Sequence, residues 1–413
     1  MPKKCRQNHF FSLFLPQTIE TMARKIPYLA VLFLISSVLF SCGRKYSGVV
    51  LDMDRIFYDL NKEKVAQSAK RADKVFSGMA RNGLNGTVLF AEQGQVIYEK
   101  AFGWRDLCAR TKDSIRLNDA FQLSSDSKMF TAEAIMLLQA QGKLSYDDDV
   151  RKYIPELPYE GITIRQLLNH RSGLPRYDAM ADQHWPDRKK PFSNEAMIDM
   201  LATKFPEPYN APDITFFYNN INYALLASVV ERVSGKHFED FMRERIFEPL
   251  GMKDSYIYSM RDDTQVSLYM PTEVHGHEMR RKGPEKSQND YLNGVMGDKI
   301  MYSTVEDLWR FNQALDAHTL LPDSLQAEAF KPGSKEWKNK ENYGFGWRMS
   351  TDHPGMYFHY GWWKGYRSLV IRDVANHRFL AVLTNTTQLI PDTVWDFISD
   401  TSLKLPEAET WPQ

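Results

Sequence analysis

Strand-like runs stand near both ends of this chain, and a helical pattern fills more than two hundred residues between them. Residues 87–91 and 95–98 are strand-like runs around Glu92-Gln93-Gly94, which reads as a hairpin. Strand character returns only at 356–359, 366–371 and 379–383. Between them the spacing predicts helices over 131–141, ended by Gly142, over 164–170, stopped by Gly173 and Pro175, and over 221–233, closed by Gly235. Ser303-Thr304-Val305-Glu306 reads as a capping box opening a helix with Leu308, Phe311 and Leu315 on one face. A further helix is expected over 54–82, with Ile56, Val65, Ala69, Ala72 and Phe76 roughly aligned, and a last one from Asp392. No internal repeat is visible. Strands so far apart in sequence can share one antiparallel sheet, with helices packed against it. The expected class is therefore α+β: an antiparallel sheet flanked by helices, with a large inserted helical subdomain, in one interdigitated unit.

The N-terminus reads as processed. Met22-Ala23-Arg24-Lys25 opens a second plausible start, followed by an apolar run over 26–40 and then Ser41-Cys42-Gly43. A basic segment, a short apolar stretch and small residues make an export signal, and the 15 apolar residues fall short of the roughly 20 that span a bilayer. Leu39-Phe40-Ser41-Cys42 is similar to a bacterial lipobox. That similarity implies cleavage before Cys42, lipid attachment there, and an exported protein held in the bacterial cell envelope, facing the periplasm. Phe40 is bulkier than that pattern favours, and an uncleaved anchor helix is the other reading. The expected layout is a signal region over 1–41, a linker and helix over 42–83, and a single domain over 84–405. Within that domain, 84–124 and 345–405 form the α/β part and 125–344 the helical part.

Composition narrows the partners. The 413 residues hold 52 Lys/Arg against 52 Asp/Glu, and loss of 1–41, with five basic residues and one acidic, leaves 47 against 51. Nucleic-acid binding needs a surplus of cations that this chain lacks. With Cys5 removed and Cys42 lipidated, Cys108 is the only free thiol, so no intrachain disulfide is expected. It has no Cys-x-x-Cys partner and reads as structural filler.

Ser125-Asp126-Ser127-Lys128 opens the first long predicted helix. A spacing of three puts Ser125 and Lys128 on one face. A serine hydroxyl needs a neighbouring base to become a nucleophile, and a lysine that is buried or set beside another cation can serve. Taken alone the four-residue pattern is loose, since an exposed lysine after a capping serine looks the same.

Its surroundings are more specific. The stretch from Phe121 to Ala132 resembles the nucleophile helix of the serine β-lactamase and penicillin-binding protein superfamily, and the resemblance continues in order. The stretches 141–150 and 162–175 follow the class C-like branch. Tyr218-Asn219-Asn220 matches the Tyr-x-Asn motif, and the stretches 246–252 and 302–307 are family-like. His359-Tyr360-Gly361 falls where Lys/His-x-Gly belongs. The resemblance covers roughly 85–400. It implies a β-lactamase/DD-peptidase-like fold and the following roles. Ser125 would form an acyl-enzyme, Lys128 would hold the hydroxyl and share its proton, and Tyr218 would be the second acid/base group. Asn220 would bond the substrate amide. The backbone N–H groups of Ser125 and Trp362 would form the oxyanion hole, and His359 would orient substrate from the strand, next to Gly361.

Two departures bear on substrate. His359 stands where class C β-lactamases carry lysine, which is more like DD-peptidases and esterases of this branch. Trp362 and Trp363 replace small residues, so their indoles are expected to narrow the site unless they are core residues, and Lys364 could attract an anion. The expected substrates are D-amino-acid peptides or related amides and esters. A class C-like β-lactamase and a non-catalytic penicillin-binding or sensing lipoprotein stay open beside this. Glu273-Val274-His275-Gly276-His277-Glu278 has metal-ligand residue types, but next to Arg280-Arg281-Lys282 it reads as a solvated loop, so no metal is expected. No phosphate-binding glycine pattern is present, and no cofactor is implied. His170 looks like a structural histidine donating to backbone. The sequence leaves the oligomeric state open.

Overall fold

The structure, a computed structural model, describes residues 53–268, 270–335 and 341–402. The export segment and Cys42 lie outside the described residues. The chain divides into two compact units, 1–60 and 61–413, and of the first only the helical turns from Met53 are described. Among the described residues no helix is long and apolar enough to cross a membrane.

The strands from the two ends of the chain meet in one antiparallel sheet, as their patterning allowed. Helix α1 (Met53–Arg81) leads into strands β1 (Gly86–Glu92) and β2 (Gln95–Phe102). From the other end come β8 (Glu341–Tyr343), β9 (Arg348–Ser350), β10 (His353–Trp363), β11 (Tyr366–Asp373) and β12 (Arg378–Thr384). Their order is β2-β1-β12-β11-β10-β9-β8. The β1–β12 pairing, from Gly86↔Thr384 to Glu92↔Arg378, joins the halves.

Alternation along these strands separates two apolar layers. Val88, Phe90, Phe358, Leu369, Ile371, Leu380 and Val382 pack with Ala72, Phe76 and Met79 of α1 and with Val394, Phe397 and Ile398 of the last helix, Thr393–Ser399. Those α1 residues recur at helical spacing, which is why this helix forms here. The sequence reading starts the domain at residue 84. Because α1 contributes to this core, the compact unit begins at Asn61. On the other face Leu89, Ala91, Val370, Phe379, Ala381 and Leu383 meet the helical part.

That part contains α2 (Ser127–Ala140), α3 (Ile164–Leu168), α4 (Tyr177–His184), α5 (Asn194–Lys204), α6 (Asn220–Ser234), α7 (Phe238–Met242) and α8 (Val305–Asp316). It is not helical throughout. Three short strands, β3 (Phe121–Gln122), β4 (Tyr256–Ile257) and β7 (Met301–Ser303), form a small sheet in the order β3-β7-β4. A hairpin joins β5 (His277–Arg280) to β6 (Gly283–Lys286). Two boundaries differ from expectation. Ser303 pairs with Phe121 in β7, so α8 is capped one residue later, by Thr304, whose hydroxyl accepts from the Asp307 N–H at 3.1 Å. Helix α3 ends at Leu168 because His170 turns left-handed, at φ +57°.

Candidate active site

The β3–β7 pairing sets the site. Leu123 donates its N–H to Met301 O at 2.8 Å, which brings the turn before α2 beside the segment just before β7. Ser124 is then forced left-handed, at φ +52°, with its side chain buried. A non-glycine residue held there stores strain of order 1–3 kcal/mol. The strained turn leaves Ser125 partly exposed between buried neighbours. Lys128, one helical turn on, is fully buried. Its Nζ lies 3.3 Å from Ser125 Oγ and donates to the Asp298 carbonyl at 2.7 Å.

Tyr218 and Asn220 arrive at the N-terminus of α6, which is tied down from three sides. Asn219 caps the helix, and its side-chain amide donates to Leu174 O at 2.7 Å and Pro175 O at 3.2 Å. His170 Nδ1 accepts the Asn219 N–H at 3.2 Å. The sequence reading had this ring donate to backbone; here the ring accepts, and burial first, then Lys128 and Arg348, push its pKa well below 6.5. The His170 ring lies 4.3 Å from that of Tyr218. The Tyr218 hydroxyl and Asn220 Oδ1 are buried atoms with no hydrogen-bond partner. Lys128 Nζ lies 5.0 Å from the centre of the Tyr218 ring, and the Arg348 guanidinium, bonded to Glu341, lies 4.7 Å from it.

Strand β10 closes the other side. β9 stops pairing with it at Phe358, so the edge from His359 onward is released from β9. Gly361 presses against the nucleophile turn; a Cβ there would sit 2.2 Å from Leu123 O and 2.9 Å from Ser124 Cβ. This approach brings the backbone of Gly361 and Trp362 to the turn that carries Ser125.

His359 differs from its expected place. The ring is fully buried, with Nε2 3.0 Å from the Tyr343 hydroxyl and Nδ1 3.2 Å from Asp126 Oδ1 and 3.1 Å from Tyr360 O. Both nitrogens are engaged, so it meets the site through Asp126 and Tyr343 and offers no free polar atom to a substrate. Burial first, then Arg348 and Lys128, hold it neutral. Asp126 is pushed up to about 8 by burial. The tryptophans divide between faces. Trp362 lies on the face of Phe358, 62 % exposed, over Arg367. Trp363 faces the helical part, its indole 5.2 Å from Lys299 Nζ. Lys364 is paired with Asp290.

Sequence reasoning missed the buried groups behind Lys128. The Asp298 carboxylate accepts from Tyr177 Oη at 2.8 Å and lies 3.2 Å from the buried Lys299 Nζ, which also donates to Tyr177 Oη. The only signal was two adjacent charges inside the apolar run from Val295 to Met301. Two other readings change. Cys108 is exposed and not filler. The segment read as a solvated loop buries His277 completely, because its ring packs against the loop holding Asp106, 3.0 Å from that carboxylate.

Comparison with known proteins gives consistent likenesses. The model of the Beta-lactamase family matches residues 68–400. The chain is similar to penicillin-binding protein 4* of Bacillus subtilis (strain 168), 34 % identical over 313 residues, covering 74 % of this chain and 69 % of that protein. It is 25 % identical over 308 residues to the teichoic acid D-alanine hydrolase of Staphylococcus aureus, covering 71 % and 72 % respectively. Among solved structures, a D-stereospecific amidohydrolase from a Streptomyces species superimposes with a TM-score of 0.58 at 26 % identity, over 73 % of this chain and 90 % of that one.

Proposed function

The chain belongs to the β-lactamase family, and on that footing we propose that it is a serine hydrolase acting through an acyl-enzyme on Ser125, with D-amino-acid peptides, amides or esters of the cell envelope as substrates. The observation that carries the chemistry is the 3.3 Å contact between Ser125 Oγ and the buried Lys128 Nζ. As Ser125 Oγ attacks the substrate carbonyl, its proton leaves along that contact. The N–H groups of Ser125 and Trp362 take the developing oxyanion, which is where a preorganised site gains most. Tyr218, with its hydroxyl unpartnered, delivers a proton to the leaving group. Asn220 Oδ1 accepts from the substrate amide. Water, activated by the same groups in reverse, then hydrolyses the acyl-enzyme.

Two considerations support the substrate class. The relatives include a teichoic acid D-alanine hydrolase and a D-stereospecific amidohydrolase. The neutral, enclosed His359 also supplies no charge for a β-lactam carboxylate. Lipid anchoring at Cys42 would place the enzyme at the membrane, and Cys42→Ser should then release it from the membrane fraction.

The test is intact-protein mass spectrometry after exposure to a fluorophosphonate and to a penicillin, beside Ser125→Ala. A fluorophosphonate adduct that disappears in the variant is expected. A trapped penicillin adduct indicates a DD-peptidase-like site, and penicillin consumed without an adduct indicates β-lactamase. Absence of any Ser125-dependent adduct refutes catalysis and favours a binding protein.

A further inference from the structure

A second group of reactive side chains lies outside the Ser125 site. Asp106 and Cys108 stand on the loop that follows β2, and His277 opens β5, about 170 residues away in sequence. One carboxylate oxygen, the thiol sulfur and an imidazole nitrogen all fall within 4.8 Å of one another. His277 Nε2 lies 3.0 Å from Asp106 Oδ1 and 3.1 Å from the Leu107 N–H. Asp106 Oδ1 also accepts the Cys108 N–H at 2.8 Å, and Oδ2 pairs with Lys286 at 3.3 Å. Cys108 Sγ, exposed, approaches Pro284 O at 3.4 Å.

Two features separate this cluster from an ordinary hydrogen-bonded histidine. First, Nε2 faces a carboxylate oxygen and a backbone N–H at once. If it accepts from Leu107, it carries a lone pair 3.0 Å from another acceptor; if it is protonated, it confronts the N–H. A cation taking the Nε2 lone pair relieves the clash with the carboxylate, provided the Leu107 N–H turns away. Second, the Asp106 carboxylate lies at Nε2, and the Cys108 sulfur falls within 4.8 Å of a carboxylate oxygen and an imidazole nitrogen. In a proton relay the carboxylate would bond Nδ1 and leave Nε2 to the thiol, yet here Nδ1 is buried without a partner. Three donor atoms of different type this close together can share one ion.

We propose that Asp106, Cys108 and His277 form a binding site for a zinc-class divalent ion. A mixed O, S, N set suits borderline-soft metals, with zinc foremost, at bond lengths of roughly 2.0–2.3 Å. Binding replaces the thiol proton, which is released to solvent, by a metal–sulfur bond. The fourth position is open to water, with His275, whose Nδ1 is also unpartnered, two residues away. The ion would clip the 103–114 loop to the β5–β6 hairpin. His277 N–H donates to Gly365 O at 3.2 Å and Asn385 O at 2.8 Å, so the clip would anchor the turn that follows β10. Its role is structural, because no member of the cluster contacts Ser125, Lys128 or Tyr218.

The experiment is titration of the metal-free full chain with Co2+, followed by ultraviolet–visible spectroscopy and displacement by Zn2+. One equivalent should produce a thiolate-to-cobalt charge-transfer band and a four-coordinate visible spectrum. Both should vanish in Cys108→Ser, with zinc affinity falling at least about 100-fold, and persist in Ser125→Ala. Zinc should raise the melting temperature of the parent protein and not of Cys108→Ser. Cys108 is exposed, so that variant should fold. The proposal is overturned by absence of the band. It is equally overturned by a band that survives Cys108→Ser, since Cys5 or Cys42 would then supply the sulfur, or by one that survives both Asp106→Asn and His277→Asn, which marks a lone thiol adduct.

Discussion

Gly361→Ala tests whether the contact between β10 and the nucleophile turn sets the reaction geometry. Gly361 has no left-handed φ, so an added methyl acts through space and not through backbone strain. The new Cβ would sit 2.2 Å from Leu123 O and 2.3 Å from Ser368 Oγ. Carbon and oxygen ordinarily stay about 3.3 Å apart, so strand and turn must separate by about 1 Å. Ser368 can rotate away only by giving up its own bond to Leu123 O, at 2.7 Å. Leu123 O cannot, because it accepts from the Asp126 N–H at 3.2 Å and belongs to the turn that presents Ser125. A 1 Å misplacement of reacting groups costs on the order of 100-fold in rate, and the overpacking itself about 1–3 kcal/mol of stability. The assay is the pseudo-first-order rate of fluorophosphonate adduct formation by mass spectrometry, with urea unfolding run alongside. Ser368→Ala alone should react at nearly the parent rate, and adding it to Gly361→Ala should not restore the loss, because Leu123 O remains. A folded Gly361→Ala protein acylating within about threefold of the parent would refute the reasoning.

Two further outcomes follow from the buried charges. Burial pushes both Asp126 and Glu133 up to about 8, so between pH 4.5 and 8 the folded protein keeps two protons that the unfolded chain has released, and stability falls as pH rises. His170 and His359 act oppositely, but only below 6.5, where unfolding would protonate them. The net decline should therefore emerge from pH 6.5 to 8, at up to about 1.4 kcal/mol per pH unit for each carboxyl. Asp126→Asn should remove about half that slope in urea titrations, and a flat parent profile would contradict the assignment. Separately, Asp298→Ala strands the buried Lys299 and should cost about 3–5 kcal/mol, whereas Tyr177→Phe should cost about 1.5–3 kcal/mol. Because Lys128 is held by the Asp298 backbone carbonyl, Tyr177→Phe should acylate at close to the parent rate; a hundredfold loss would mean that the Tyr177 hydroxyl itself serves the reaction.

What could be read from the sequence was whatever local spacing encodes. Ser125 and Lys128 are three residues apart in one helix, Tyr218 and Asn220 two apart at the start of another, and the long strands announced themselves by apolar patterning. Strands of two or three residues, such as β3, β4 and β7, are too short to show a period, and they are the elements that carry Asp298 to Lys128. The placement of Trp362 was legible in principle, since the two-residue alternation groups it with Phe358 and away from His359. His277 was obscured by the charged residues around it, which describe the hairpin surface and not the side chain folded beneath it.

The parts that escaped share a physical cause. A reactive lysine at zero exposure has to be held by acceptors supplied from elsewhere in the chain, and a buried acceptor must itself be paired. Lys128 thus calls for Asp298 O, the Asp298 carboxylate calls for Tyr177 and Lys299, and Lys299 in turn lies against Trp363. The Ser125 side is held the same way, with Asp126 locked to His359 and His359 to Tyr343. Each link joins residues about 16 to 230 positions apart, apart from the adjacent Asp298–Lys299 pair, so none leaves a local pattern. It follows that substitutions in these buried chains should disturb stability before chemistry, whereas Ser125, and Tyr218 and Asn220 with their unpartnered atoms, should do the reverse.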